Sequence, residues 1–292
     1  MAHSVMLDGS GLSTSPHSER IAMDASLQRT RSPARYFGLV FVLSLPLWLI
    51  GKRPLPLPVN LPVSALAAFV PALAAGILTY QQAGRRGVQA LFKRTFDYKR
   101  IDRKRWYLPA LLLAPLTYLL SYVVMRLTGS PLPSQLDIPV HRLPAYAAMY
   151  FVAGTGEELG WTGYALEPMQ ARRGAFQAGW LEGIGWAVWH SISFFQTGNP
   201  ANWVLWQCLR TVALRLLIVW IYNSSGKSVF ASSLIHAADN VSWSLFPNSG
   251  SHYSPLVTGS LNWLTVGVIL ATGGTKAFAG RKSPRNQTAG RQ

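Results

Sequence analysis

The apolar residues of this chain fall in blocks, roughly 36–51, 61–80, 106–126, 143–166, 180–197, 201–222, 228–246 and 255–274, separated by short polar segments. They show neither the stripe of an amphipathic helix nor the alternation of a half-buried strand. Each block is about long enough to cross a hydrocarbon core of ~30 Å at ~1.5 Å per residue. Inside hydrocarbon a backbone must satisfy its own hydrogen bonds, so each block is expected to be helical. The fold class expected is therefore all-α: a polytopic membrane bundle of about eight transmembrane helices. Composition agrees, since 49% of residues are hydrophobic and only 13% are charged, roughly half the charged share of a soluble domain. An ordinary water-soluble globule and a disordered chain are both excluded. The first block is short and contains Pro46, and the fourth to seventh carry charges, so their edges are the loosest part of this reading.

The 27 Lys and Arg against 11 Asp and Glu give a formal net charge of +16. In a chain full of apolar spans, that excess reads as loops facing anionic lipid, and no nucleic-acid partner is expected, because basic residues are not interleaved with aromatics on a soluble domain. The segment 81–105 holds Arg85, Arg86, Lys93, Arg94, Lys99, Arg100, Arg103, Lys104 and Arg105. As the densest basic stretch it is expected on the cytoplasmic side. Eight crossings then return both termini to that side, and both tails are basic as required. Lys52, Arg53 and Arg142 run against the rule. The expected organisation is a disordered cytoplasmic tail over 1–34, a transmembrane domain over 35–274 and a basic cytoplasmic tail over 275–292. The expected location is the plasma (inner) membrane. Within 81–105, Val88, Leu91, Phe92 and Phe96 suit either the apolar face of a short interfacial helix or a solvated linker. The lone cysteine, Cys208, permits no intramolecular disulfide.

After Asp137 the chain has five acids: Glu157, Glu158, Glu167, Glu182 and Asp239. All but Glu167 lie inside apolar blocks. A charge at mid-bilayer costs about 2.5–3.5 kcal/mol on insertion scales, so such a placement makes sense around a polar cavity. His190, His236 and Asn240 also lie inside blocks. His236 and Asn240 are four apart and share a helix face, whereas the adjacent Glu157 and Glu158 point about 100° apart. A carboxylate, two imidazoles and an amide from three helices can form a hydrolytic site: the carboxylate takes a proton from water, and the imidazoles bind a metal or stabilise an oxyanion. A single intramembrane His or Asn is more often interhelical glue; the set together favours function. Glu182 and Asp239 read more readily as structural, with Asp239 placed to pair with Arg210 or Arg215. A proton-coupled carrier is disfavoured because the acids cluster in the second half, with no inverted repeat.

Three motifs carry a resemblance. Glu157-Glu158-Leu159-Gly160-Trp161-Thr162, Trp186-Ala187-Val188-Trp189-His190 and His236-Ala237-Ala238-Asp239-Asn240 follow one another on separate apolar blocks. In order and spacing the chain resembles the CPBP (Abi) family of intramembrane metalloproteases, the type II CAAX prenyl endopeptidases. The resemblance is strong over about 145–246 and looser over about 85–275. The family pattern has arginine where this chain has Thr162, and phenylalanine where it has Trp186. The resemblance implies a hydrolase: an intramembrane metalloendopeptidase cleaving a membrane-associated peptide, with a CAAX-type prenylated substrate as the best-known class. Glu157 would be the base that activates water. His190, His236 and Asn240 would stabilise the oxyanion or bind metal. Glu158, Asp239 and Trp186 would support them. Zinc or another divalent metal on His190, His236 and Glu157 is implied as a cofactor. The missing arginine at 162 motivates the alternative, a non-proteolytic immunity or scaffold protein. With the boundaries above, Glu157 lies about two turns from the inner end of its span while His190 lies past the middle of its own, so the two depths disagree.

Overall fold

The computed structural model describes residues 31–51, 53 and 63–279. Most of the two expected tails, and Lys52, lie outside the described residues. Among those described, eight helical rods follow the eight apolar blocks. α1 spans Pro33–Leu49 and is started by Ser32, whose side chain accepts the Arg35 N–H, with Pro33 in the first turn, where its missing N–H costs nothing. A 3₁₀ turn, Val63–Phe69, leads into α2, Val70–Lys93. α3 is Tyr107–Leu127. α4 begins as Leu143–Gly160, widens into a π-helical stretch over Trp161–Leu166 and resumes as Glu167–Arg173. α5 is Ala175–Gln196, α6 Ala201–Ser224, α7 Val229–Leu245 and α8 Pro255–Gly273.

Two boundaries differ from the sequence reading for a local reason. α2 was expected to end near 80 but continues to Lys93, because the arginines that end its apolar run do not end its helix. At Gly84 the backbone enters the left-handed region (φ 58°) and the rod changes direction. Beyond that break lies the short helix suggested by Val88, Leu91, Phe92 and Phe96; Leu91 is buried while Phe92 and Phe96 are exposed. The expected gap between the fourth and fifth spans is also filled. α4 runs to Arg173, and Gly174 (φ 79°) alone separates it from α5. Only glycine adopts that turn freely, so the chain reverses there with no loop.

This removes the mismatch in depth. Glu157 lies sixteen residues before the end of its rod at Arg173, and His190 lies fifteen after the start of its rod at Ala175. Two antiparallel rods joined at Gly174 therefore bring both residues to nearly the same level.

Four helices are long and apolar enough to cross a membrane: α2 with its 3₁₀ lead, α3, α6 and α8. α6 is the most enclosed of them. The three motif-bearing helices fall outside that group because their polar groups lower the hydropathy. They lie inside the bundle, where α4 packs on α7 and α2, and α5 on α6, with α8 on the far side of α6. α3 packs on α7 with one face and turns Leu108, Leu112, Leu116 and Leu119 outward. Exposed leucines in such a row suit a lipid-facing surface. On α4, Gly160 abuts the Tyr36 hydroxyl of α1 and the Pro71 carbonyl of α2, and a Cβ there would overlap both. That close approach holds the first two helices against the rod carrying the paired glutamates.

Candidate active site

Glu157 and Glu158 sit on the last α-helical turn before the π stretch, and both are buried. Being adjacent, they face different neighbours. The Glu157 Oε2 accepts the indole N–H of Trp186 at 2.7 Å. His190 Nε2 lies 4.0 Å from the same oxygen, and His236 Nε2 lies 4.0 Å from Oε1. Both imidazoles are turned by their other nitrogen. His190 Nδ1 is 3.1 Å from the Trp186 carbonyl, and His236 Nδ1 is 2.9 Å from Glu158 Oε1. Each Nδ1 meets an oxygen acceptor, so each Nδ1 carries a proton and each Nε2 is presented to Glu157.

The gap between Glu157 and either Nε2 suits one water molecule, which needs about 2.8 Å to each partner. Glu157 is thus within one-water reach of both imidazoles, the geometry required of a general base. Access is one-sided: the His190 side chain is 23% exposed, against 8% for Glu157 and 4% for His236. The histidine on α5 therefore forms the rim, and the other two form the floor.

Glu158 is fully enclosed and saturated. Its Oε1 takes the His236 imidazole, while its Oε2 accepts from Arg215 Nη1 at 2.9 Å and from the Thr162 hydroxyl. Glu182 lies 3.9 Å from the same arginine nitrogen. Arg215 was foreseen only as a cation in need of a partner. Its partners are the paired-glutamate motif and Glu182, a link between α4, α5 and α6 that no spacing within one helix announces.

The other expected residues separate from this cluster. Asp239 forms an ion pair with Arg210, which also donates to the Tyr118 hydroxyl at 2.9 Å. Among the described residues its side chain forms no hydrogen bond or ion pair with Glu157, Glu158 or the two histidines. Asn240 lies one turn beyond His236 and is half-buried, and it makes no hydrogen bond among the described residues. Glu167, at the π-helix exit, pairs with Lys227 at 2.7 Å and accepts from the Tyr222 hydroxyl at 2.9 Å.

The metal expectation finds no ready-made cage. Ligands to zinc sit about 2.0–2.2 Å from the ion, and the 4.0 Å separations around Glu157 are wide for a shared ion. Among the described residues, no three His, Cys, Asp or Glu groups gather closely enough to hold one.

Beside α7, on the face opposite His236, a cavity of about 960 Å³ opens between α3, α4 and α7. Leu111, Pro115, Phe151, Leu234, Ala237 and Val241 line it, and its walls are almost wholly apolar. α7 therefore presents His236 to the polar site and a greasy flank to the cavity.

Residues 139–242 match the family described as type II CAAX prenyl endopeptidase Rce1-like. A curated relative, CAAX prenyl protease 2 of Methanococcus maripaludis, is 30% identical over 105 residues. That match covers 33% of this chain and 39% of the relative's length. Residues 139–242, matched by the family, contain all three motifs and every residue of the Glu157 cluster. Over residues 139–242 this membrane protein is thus similar to the Rce1-like type II CAAX prenyl endopeptidases, as its paired glutamates and two histidine motifs led us to expect.

Proposed function

We propose that the chain is an intramembrane endopeptidase that hydrolyses a peptide bond in a membrane-associated substrate with water activated by Glu157. The observation that carries this reading is the convergence of two imidazole Nε2 atoms on one buried carboxylate, each at 4.0 Å. A water held there gives a proton to Glu157 as its oxygen attacks the scissile carbonyl carbon. The carbonyl electron pair moves onto oxygen, where an imidazole in its doubly protonated form, its Nδ1–H still held by its own acceptor, offers an Nε2–H to the charge. Collapse breaks the C–N bond, and the proton on Glu157 passes to the leaving amine. Trp186 holds the Glu157 carboxylate in place, and Glu158 fixes the ring of His236. Asn240, one turn above His236 on the same face of α7, is in position to meet the oxyanion once substrate is bound. The apolar cavity beside α7 suits a hydrocarbon group on the substrate, such as a prenyl chain.

The test is cleavage of membrane-anchored peptides, prenylated and not, by purified protein in detergent. Glu157→Gln is expected to lower kcat by about 10³-fold or more, with the variant still folded. Equal cleavage by both proteins would overturn the reading. The alternative, a non-proteolytic immunity or scaffold protein, draws on Thr162 in place of an arginine, and it predicts that Glu157→Gln retains full biological activity in cells. For orientation we propose both termini on the cytoplasmic side of the inner membrane, on the strength of the basic 81–105 segment.

A further inference from the structure

Arg215 is the largest charged side chain in the protein's fully buried interior. It lies midway along α6 between two carboxylates. Its Nη1 donates to Glu158 Oε2 at 2.9 Å and lies 3.9 Å from Glu182 Oε2. Its guanidinium carbon stands 4.1 Å from the centre of the Trp186 ring, a stacked cation–π contact in a setting without water to weaken it. The two groups it touches are the two that aim the site. Trp186 donates to Glu157, and Glu158 accepts from His236. Apart from His236, no other cation among the described residues is within ion-pair distance of Glu158 or Glu182.

Resting on the endopeptidase reading, we infer that Arg215 is a positioning residue for catalysis. From α6 it fixes the carboxylate that orients His236 and the indole that holds Glu157, and so supplies the cation that Thr162 does not. A lysine cannot do both jobs, because its compact ammonium has no plane to lay on the indole while it bonds the carboxylate. Thr162 is reduced to a neutral donor on the same Glu158 oxygen.

The experiment uses the full-length protein in detergent, with Arg215→Lys, Arg215→Met and Glu157→Gln beside wild type. Two quantities are read: kcat and KM on a cleaved membrane-anchored peptide, and the ¹⁵N-linked proton signal of the His236 Nδ1–H. The signal needs no substrate. Arg215→Lys is expected to fold, to lose about tenfold in kcat with KM within twofold, and to shift the His236 signal. Arg215→Met, where it folds, is expected to lose 10²-fold or more in kcat and to lose that signal. Wild-type kcat and an unmoved signal in a folded Arg215→Lys protein would overturn the inference, whatever happens to Arg215→Met. If wild type and Glu157→Gln both fail to cleave, the endopeptidase reading falls by itself. The His236 signal in Arg215→Lys then still decides whether Arg215 holds the ring: a shift upholds that role and an unmoved signal ends it.

Discussion

A carboxylate among apolar helices is tolerated only when its neighbours replace the water it has lost, and the adjacent Glu157 and Glu158 meet that condition differently. Glu157 has one neutral donor and two imidazole edges at 4.0 Å, and among the described residues no guanidinium holds it. Glu158 has a guanidinium, an imidazole and a hydroxyl, which fix it. Adjacent in sequence, the two are separated in role by the turn between them. The separations around Glu157 also bear on cofactors. Because the two Nε2 atoms stand at water-bridging rather than metal-ligand spacing, cleavage is expected to survive exhaustive dialysis against a chelator with less than about twofold loss. A loss restored specifically by zinc would instead show that the three groups close around an ion. Glu157, His190 and His236 stand out in the chain because buried polar residues at helical spacing are costly and therefore informative; Trp186 stands out only through the family resemblance. Arg215 could be noticed but not placed. Which face of α6 meets α4 and α5 is a matter of packing, and α6 is apolar on nearly every side.

Among the elements, α4 carries most of the constraint. It must bring two glutamates inward, let α1 and the lead of α2 pack closely, and turn directly into α5. Gly160 meets the second demand. A methyl group there has nowhere to go, so Gly160→Ala should lower stability by about 1–3 kcal/mol or more, seen as a fall of several degrees in the unfolding temperature in detergent. The Glu157 geometry would be disturbed with it, since the glutamates lie on the preceding turn. An unchanged unfolding temperature would show that α1 and α2 can move aside. Most helix ends fall within a few residues of the apolar block ends, and Ser32, Ser228 and Ser254 cap three of the starts with their side chains. The passage from α4 to α5 was not legible. A π-helical stretch has no compositional mark, and a reversal built on one glycine looks like the middle of a polar linker.

For the whole molecule, α7 separates two unlike regions. One is the buried polar cluster built on His236. The other is about 960 Å³ and apolar. An endopeptidase for lipid-bearing peptides needs both, close together, and a single helix is the thinnest wall that can separate them. Filling the apolar chamber should then discriminate between substrates. Ala148→Trp, in its lining on α4, is expected to raise KM several-fold for a prenylated peptide and to leave an unprenylated peptide of the same sequence within twofold. Equal effects on the two would place the hydrocarbon elsewhere. The second segregation is of charge. Acids sit inside the bundle and basic residues crowd the 81–105 segment, and one acid from that segment, Asp97, accepts from Ser228, Val229 and Phe230 at the start of α7. The basic segment is thereby fastened to the helix that carries His236.

The widened turns of α4 have a mechanical consequence. In an i→i+5 ladder the carbonyl of Gly163 would look to residue 168, which is Pro168 and has no N–H to offer. It accepts from Arg31 and Arg94 at 3.1 Å each. A fault in one rod thus becomes a knot tying together three distant strings of the polypeptide, six residues along the rod from Glu157. Arg31, just ahead of the first helix, and Arg94, at the end of the second, are thereby joined at one oxygen on the rod that carries Glu157.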